Sequence, residues 1–212
     1  TYANYNKGFF NDVFIDIFGD KIITHHFNSN RPLTKTLFEH SFNDSLLESG
    51  IKANLAESRT NPGHDITIGG IRASLKTEAA KNINPRFIHL SKWMELGKGE
   101  WRLDLLLNRF LAHLENYEKI FTLRYFQISP ENFKYQLVEI PKDLLLEARS
   151  ASLVIMEGSK QTPKPGYGYV DSKGIRKFSL YFDGGTERKL QIKHLNIDLC
   201  IIHAEWSYSL SS

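Results

Sequence analysis

Asp65-Ile-Thr-Ile-Gly-Gly-Ile-Arg-Ala-Ser-Leu-Lys76 decides how the rest of the chain is read. Two short β-prone runs meet at Gly69-Gly70, which is the composition of a tight hairpin turn. Such a hairpin sets Asp65 near one end of the first strand and Lys76 near the same end of the second. Alternation along the second strand puts Ser74, Lys76 and Glu78 on one face and Thr77 on the other. A lysine inside an apolar strand is costly unless it is paired or at an edge, so Lys76 needs a reason. One reason is a charged edge that discourages aggregation. The other is chemistry: carboxylates that hold a divalent ion, with an ammonium beside them, suit attack on a phosphodiester.

Working outward, Leu33, Leu37, Phe38, Phe42 and Leu46 recur at helical spacing, so Thr34 to Leu47 is read as an amphipathic helix ending near Gly50. Residues 8–25 are read as a short apolar ribbon turning at Gly19-Asp20. Trp101 to Lys119 carries Leu103, Leu106, Leu107, Phe110, Leu111 and Leu114 in a broad stripe and is the clearest helix. Strands are expected at 121–126, 133–140, 153–156 and 197–208, with a short helix over 141–149. A hairpin pairs 178–182 with 189–193 across Asp183-Gly184-Gly185, and 158–174 is expected as a long exposed loop. The fold class is therefore α/β (α+β), a mixed central sheet flanked by helices with a C-terminal β-hairpin region. The 212 residues fit a single domain, 1–212, in which 1–33 is the N-terminal ribbon, 34–157 the catalytic core and 158–212 a basic loop and hairpin.

The stretch from Asp65 to Thr77 resembles the core of the PD-(D/E)xK nuclease superfamily, most closely its type II restriction endonucleases and mismatch-repair nicking relatives. In that pattern an acid opens one strand, and the next carries an acid, one residue and a lysine. Asp65 and Lys76 match, His64 precedes the first acid, and Ser74 stands where the second acid belongs. Some restriction enzymes of the family carry serine there and take the carboxylate from elsewhere; Glu78 or Glu95 would supply it here. Glu39, in Leu37-Phe38-Glu39-His40, matches a glutamate that family members place on the preceding helix.

The resemblance implies a metal-dependent, sequence-specific double-stranded DNA endonuclease, a type II restriction enzyme that leaves 5′-phosphate ends. Asp65, Lys76, Glu78 and Glu39 are then catalytic, with Asp65, Glu78 and Glu39 as metal ligands. Mg²⁺ is the expected ion, with Mn²⁺ as a substitute. A DNA-binding module without catalysis is the alternative, since it keeps the basic residues and treats the acids as surface charges.

Charge supports a polyanionic partner. The formal net charge of +3 comes wholly from the C-terminal part, where 159–212 carries 8 basic and 5 acidic side chains. Lys160, Gln161, Lys164, Lys173, Arg176, Lys177, Arg188, Lys189, Gln191 and Lys193 are the DNA-contact candidates, joined by Arg72 near the hairpin, with Lys81 and Arg86 as further backbone contacts. Lys189, Gln191 and Lys193 share one strand face. The partner is double-stranded DNA; a homodimer on a palindromic site and a monomer are both left open.

Other chemistries find no pattern. Gly69-Gly70 and Gly184-Gly185 lack the spacing of a phosphate loop, so no nucleotide cofactor is expected, and no Gly-x-Ser-x-Gly elbow exists. The histidines lack zinc-site spacing; only His64 adjoins the candidate site. Apolar runs of about five residues are far too short for a bilayer-spanning helix. No secretory leader is read at Thr1. The single cysteine, Cys200, is expected in a buried strand, and a reducing cytoplasmic compartment fits a chain with no disulfide pair.

Overall fold

The structure, a computed structural model, describes residues 1–57 and 63–210. It divides into two compact units, each gathered from separate stretches of chain. The first holds residues 1–83, 117–140 and 201–212; the second holds 84–116 and 141–200.

The first unit is built on a seven-stranded mixed sheet. Its order is β1 (Tyr2–Asn4), β12 (Ile201–Ser209), β7 (Asn132–Glu139), β6 (Lys119–Gln127), β4 (Ile71–Glu78), β3 (Ile66–Ile68) and β2 (Ala53–Leu55). Only β4 and β6 run parallel; the other neighbours are antiparallel. Helices α1 (Asp12–Asn28) and α2 (Lys35–Glu48) pack their apolar sides into one core with the sheet. That core is aromatic: Phe10 and Phe14 stack at 4.8 Å, and Phe14 and Phe18 at 5.6 Å, with Phe42 edge-on to all three. Full burial of a phenylalanine side chain is worth about 1.5–3 kcal/mol. The expected mixed sheet with flanking helices is thus present.

Helix α1 corrects the expected N-terminal ribbon. Asn11 caps it by accepting from the Phe14 N–H at 2.8 Å, and Asp12 sits at the positive end of its dipole. Phe14, Phe18 and Ile22 are four residues apart and all fully buried, a helical interval that the β-branched composition masks. Gly19 is not a turn residue. A Cβ there would come within 2.6 Å of Trp206 and Tyr2, so glycine permits close packing inside the helix. Helix α2 lies where expected, capped by Thr34, which accepts from the Leu37 N–H at 3.2 Å, and followed by Gly50 at φ +83°.

The second unit holds an antiparallel five-stranded sheet of order β5 (Phe87–Glu95), β11 (Lys189–Asn196), β10 (Ile175–Asp183), β9 (Gly166–Ser172) and β8 (Ser152–Ile155). Helix α3 (Leu103–His113) buries Leu103, Leu106, Leu107 and Phe110; Trp93 of β5 meets Phe110 at 6.2 Å. The helix is shorter than expected, because its last turn tightens into a 3-10 turn at Leu114–Asn116. A second short helix, α4 (Lys142–Leu146), opens after Pro141.

The long loop expected over 158–174 ends early, since β9 occupies its second half. Gly166 and Gly168 are buried between part-buried tyrosines, and a Cβ on Gly166 would come within 2.5 Å of Leu103. These glycines are packing glycines in a strand. Cys200 is part-buried and follows a 3-10 turn at Ile197–Leu199, so it is not the buried strand cysteine expected. No helix of the described residues is long and apolar enough to cross a membrane.

Candidate active site

The β3–β4 hairpin forms as its sequence dictates. Gly69 and Gly70 have φ +55° and +85°, the two left-handed positions of a two-residue turn, and Ile68 faces Ile71 across it. β3 ends after three residues while β4 runs on for eight. The Leu75 N–H therefore passes the end of its partner strand, and Asp65 satisfies it. Asp65 Oδ2 accepts from Leu75 N at 2.7 Å and from Ser74 Oγ at 3.4 Å, while its own N–H donates to Ala73 O at 2.9 Å. Ser74, standing where an acid was expected, thus helps to orient the acid that is present.

The first turn of α2 brings two more charges. Lys35 Nζ lies 3.0 Å from Asp65 Oδ1 and 3.3 Å from Glu39 Oε1, so both carboxylates converge on one cation. Burial works against the charge on Lys35, but the two acids outweigh it and raise its pKa above the ordinary lysine value. Sequence reasoning found Glu39 and missed Lys35. The available signal was the i,i+4 spacing of the pair at a helix start.

Lys76 is part-buried on β4, in register with Thr122 of β6 and on the face of Ser74 and Glu78. Thr122 is fully buried, and its Oγ1 has no hydrogen-bond partner. Glu78 is only 5% exposed, and the Arg124 guanidinium, itself fully buried, donates to its Oε1 at 2.6 Å. Arg124 also donates to Gln136 at 3.1 Å, and Gln136 donates to Glu205 at 2.8 Å. Glu78 is therefore the first rung of a polar ladder across β4, β6, β7 and β12, with its charge already balanced. Glu95 is an exposed acid of the second unit, paired with Lys92 at 3.1 Å. His64 Nε2 lies 3.2 Å from Thr67 Oγ1. Arg72 is bound side-on to Glu118, whose carboxyl the arginine holds below its usual range.

Among the described residues, no three His, Cys, Asp or Glu side chains gather as a ready metal cluster. Asp65 and Glu39, both within 3.3 Å of one ammonium nitrogen, still fit a hard divalent ion. Mg²⁺ is commonly held by one or two carboxylates, with water and phosphate oxygens completing its shell.

The expected DNA contacts other than Arg72 and Lys81 lie in the second unit, most of them already in ion pairs or hydrogen bonds. Lys164 pairs with Glu157 at 2.7 Å, Lys177 with Glu147 at 2.8 Å, Lys189 with Glu187 at 3.7 Å, and Arg176 with Asp171. Gln161 and Gln191 both donate to Asp183, at 3.0 and 3.2 Å. Arg188 lies over the Trp101 ring at 5.6 Å. Lys160 is exposed, and Lys173 stands exposed in the β9–β10 turn at φ +51°. Lys189, Gln191 and Lys193 share one face of β11, as alternation requires.

Comparison with known proteins identifies the family. The family SmaI, described as a type II site-specific deoxyribonuclease, matches residues 2–208. The chain belongs to the SmaI family of type II site-specific deoxyribonucleases. It is 70% identical over 211 residues to the type II restriction enzyme SmaI of Serratia marcescens, covering 99% of this chain and 85% of the relative. No solved structure matches the chain. The resemblance of the chain to type II restriction endonucleases is thereby borne out, as is the reading as a nuclease. Within this SmaI-family chain, the β3–β4 hairpin and the helix bearing Glu39 both belong to the first unit.

Proposed function

We propose that this SmaI-family enzyme cuts duplex DNA at Asp65, Glu39 and Lys76 with Mg²⁺, leaving a 5′-phosphate and a 3′-hydroxyl. The supporting observation is the convergence of Asp65 and Glu39 on a single cation, with Asp65 anchored at Leu75, next to Lys76. Asp65 and Glu39 would hold the ion, which when bound supplies Lewis-acid stabilisation of charge on the scissile phosphate.

The chain's own groups do the rest. Leu75 N–H and Ser74 Oγ fix Oδ2 of the Asp65 carboxylate, and Oδ1 is held by the Lys35 ammonium, whose place the ion would take. Lys76 orients the attacking water and offsets negative charge as the water oxygen bonds to phosphorus and the bond to the 3′-oxygen breaks. The helix acid Glu39 takes the role left open by serine at 74. Glu78 is assigned instead to holding β4 against β6 through Arg124, because withdrawing its charge would leave a buried guanidinium unpaired. Sequence reading is assigned to the second unit, with Gln191 and Arg188 toward bases and Lys173 toward phosphate.

The test is cleavage of mixed-sequence duplex DNA, methylated and unmethylated, with Mg²⁺ or Mn²⁺ and with a chelator. Discrete fragments with 5′-phosphate ends, abolished by the chelator, are expected. Cleavage that persists after chelation, or none on any substrate, refutes the assignment.

A further inference from the structure

In the second unit, Lys193 is held by aromatic rings rather than by a carboxylate. Lys164, Lys177, Lys189 and Arg176 each have a carboxylate partner. Among the described residues Lys193 has none, although its side chain is part-buried. Its ammonium rests instead on two aromatic rings, 4.1 Å from the Tyr181 centroid and 5.7 Å from that of Tyr167. The rings form one ledge: Tyr167 stacks on Tyr169 at 5.2 Å and meets Tyr181 at 4.9 Å. Registers explain this, since Tyr181 faces Tyr167 and Ser179 faces both Tyr169 and Lys193. A cation on ring faces is held in place but not neutralised, so it remains available to an anion.

The next residue adds to this. β11 is irregular against β5 between Ile192 and Leu195, and His194 there adopts φ +56°, left-handed backbone that non-glycine residues seldom take. The irregularity brings two successive side chains to the same patch. Lys193 lies on the tyrosines, and His194 Nδ1 lies 3.4 Å from Ser179 Oγ, to which Arg176 donates at 3.1 Å. The groups facing His194 are cationic or neutral. Burial, together with Lys193, Arg176 and His89, holds its imidazole below the usual histidine range. Two carboxylates lie nearby, and both are engaged: Asp171 by Arg176, and Asp183 by Gln161 and Gln191. Positive groups gathered against their own repulsion suit a phosphate.

We infer that Lys193, seated on Tyr167 and Tyr181 with His194 beside it, contacts a backbone phosphate of the duplex DNA substrate and positions the duplex without reading its sequence. Duplex DNA is the occupant because it is the polyanion this enzyme family cuts. Stacking of an extruded base is disfavoured, since the ring faces are taken by Lys193, by each other and, at Tyr169, by Arg176 at 4.0 Å. The inference rests on the proposed DNA reading and gives Lys193, so far only a contact candidate, the role of a phosphate contact.

The experiment measures binding of the whole chain to a cleavable duplex and to an unrelated duplex, in chelator, across a salt series. Lys193→Gln should weaken both by the same factor, about five- to tenfold, and lower the salt slope by about 0.9, one phosphate contact. Tyr181→Leu should reproduce part of that loss, whereas Tyr181→Phe, which keeps the ring, should not. The His194 pKa, followed by NMR in the parent, should rise when duplex is added. An unchanged salt slope in Lys193→Gln of parental melting temperature, or a loss confined to the cleavable sequence, overturns the inference. Mg²⁺-dependent cleavage by the parent, scored separately, tests the proposed catalytic reading, so the two fail independently.

Discussion

Replacing Asp65 by Asn separates the two tasks of that side chain. The amide still offers an oxygen to the Leu75 N–H, now 2.7 Å from Oδ2, so the hairpin should hold. The bond changes from charge-assisted to neutral, a loss of about 1 kcal/mol. The carboxylate charge itself is gone, and a unit charge acting on another about 4 Å away at an effective dielectric near 20 is worth about 4 kcal/mol. If that interaction is made chiefly in the transition state, cleavage falls by about three decades. Lys35, left with Glu39 alone, should also return toward the ordinary lysine pKa. The assay is single-turnover cleavage of plasmid DNA over a Mg²⁺ titration, with a urea unfolding curve on the same preparation. A folded Asp65→Asn enzyme that cuts within tenfold of the parent at saturating Mg²⁺ refutes Asp65 as the central ligand.

The two remaining glutamates should respond in opposite ways. Glu39→Gln is expected to lose at least a hundredfold in cleavage with stability within about 1 kcal/mol of the parent, whereas Glu78→Gln should cost about 3 kcal/mol in urea unfolding by leaving the fully buried Arg124 short of its anion. Burial, with repulsion from His25, pushes the His26 imidazole down to about 4, and its Nε2 lies 2.9 Å from Tyr135 Oη. The unfolded chain takes up that proton near 6.5, so this contribution is complete above pH 6.5 and declines as pH falls toward 4, by about 2–3 kcal/mol. Urea curves at pH 7 and 4.5 should diverge less for His26→Gln than for the parent; equal divergence counts against the assignment. Gly19→Ala, with its new methyl within 2.6 Å of Trp206 and Tyr2, should lower stability by about 1–3 kcal/mol, and a thermal melt equal to the parent's would show that the helix can shift.

The hairpin, α2 and the strands read over 121–126 and 133–140 are legible because local rules and tertiary packing agree there, whereas β1, β2 and β5 were not foreseen. Gly-Gly turns, a threonine cap and Phe38/Phe42 spacing all name the element that forms. The N-terminal segment misleads because Gly19 is kept for Trp206 and Tyr2, contacts set by β12 and β1 rather than by neighbours in sequence. Gly166 misleads for the same reason, being kept for Leu103. At the site, alternation correctly puts Glu78 on the Lys76 face but cannot reveal that Arg124, forty-six residues later, faces it in register. Lys35 was within reach of helix-pair spacing with Glu39, yet its approach to Asp65 is a tertiary fact. Lys193 was placed on the right face of β11, but its tyrosine ledge depends on registers across three strands.

The position of β12 governs when the enzyme can first exist. This strand, residues 201–209, lies between β1 and β7, and Trp206 on it donates to the Ile15 carbonyl of α1. A ribosome delivering about 5–20 residues each second releases β1 and β12 roughly ten to forty seconds apart. Once made, β7 keeps a bare edge until β12 arrives, and until then α1 lacks the indole beneath it. The strand that closes the nuclease sheet arrives after every residue of the cutting site, so a nascent chain carries the acids and the lysine without a finished scaffold to aim them.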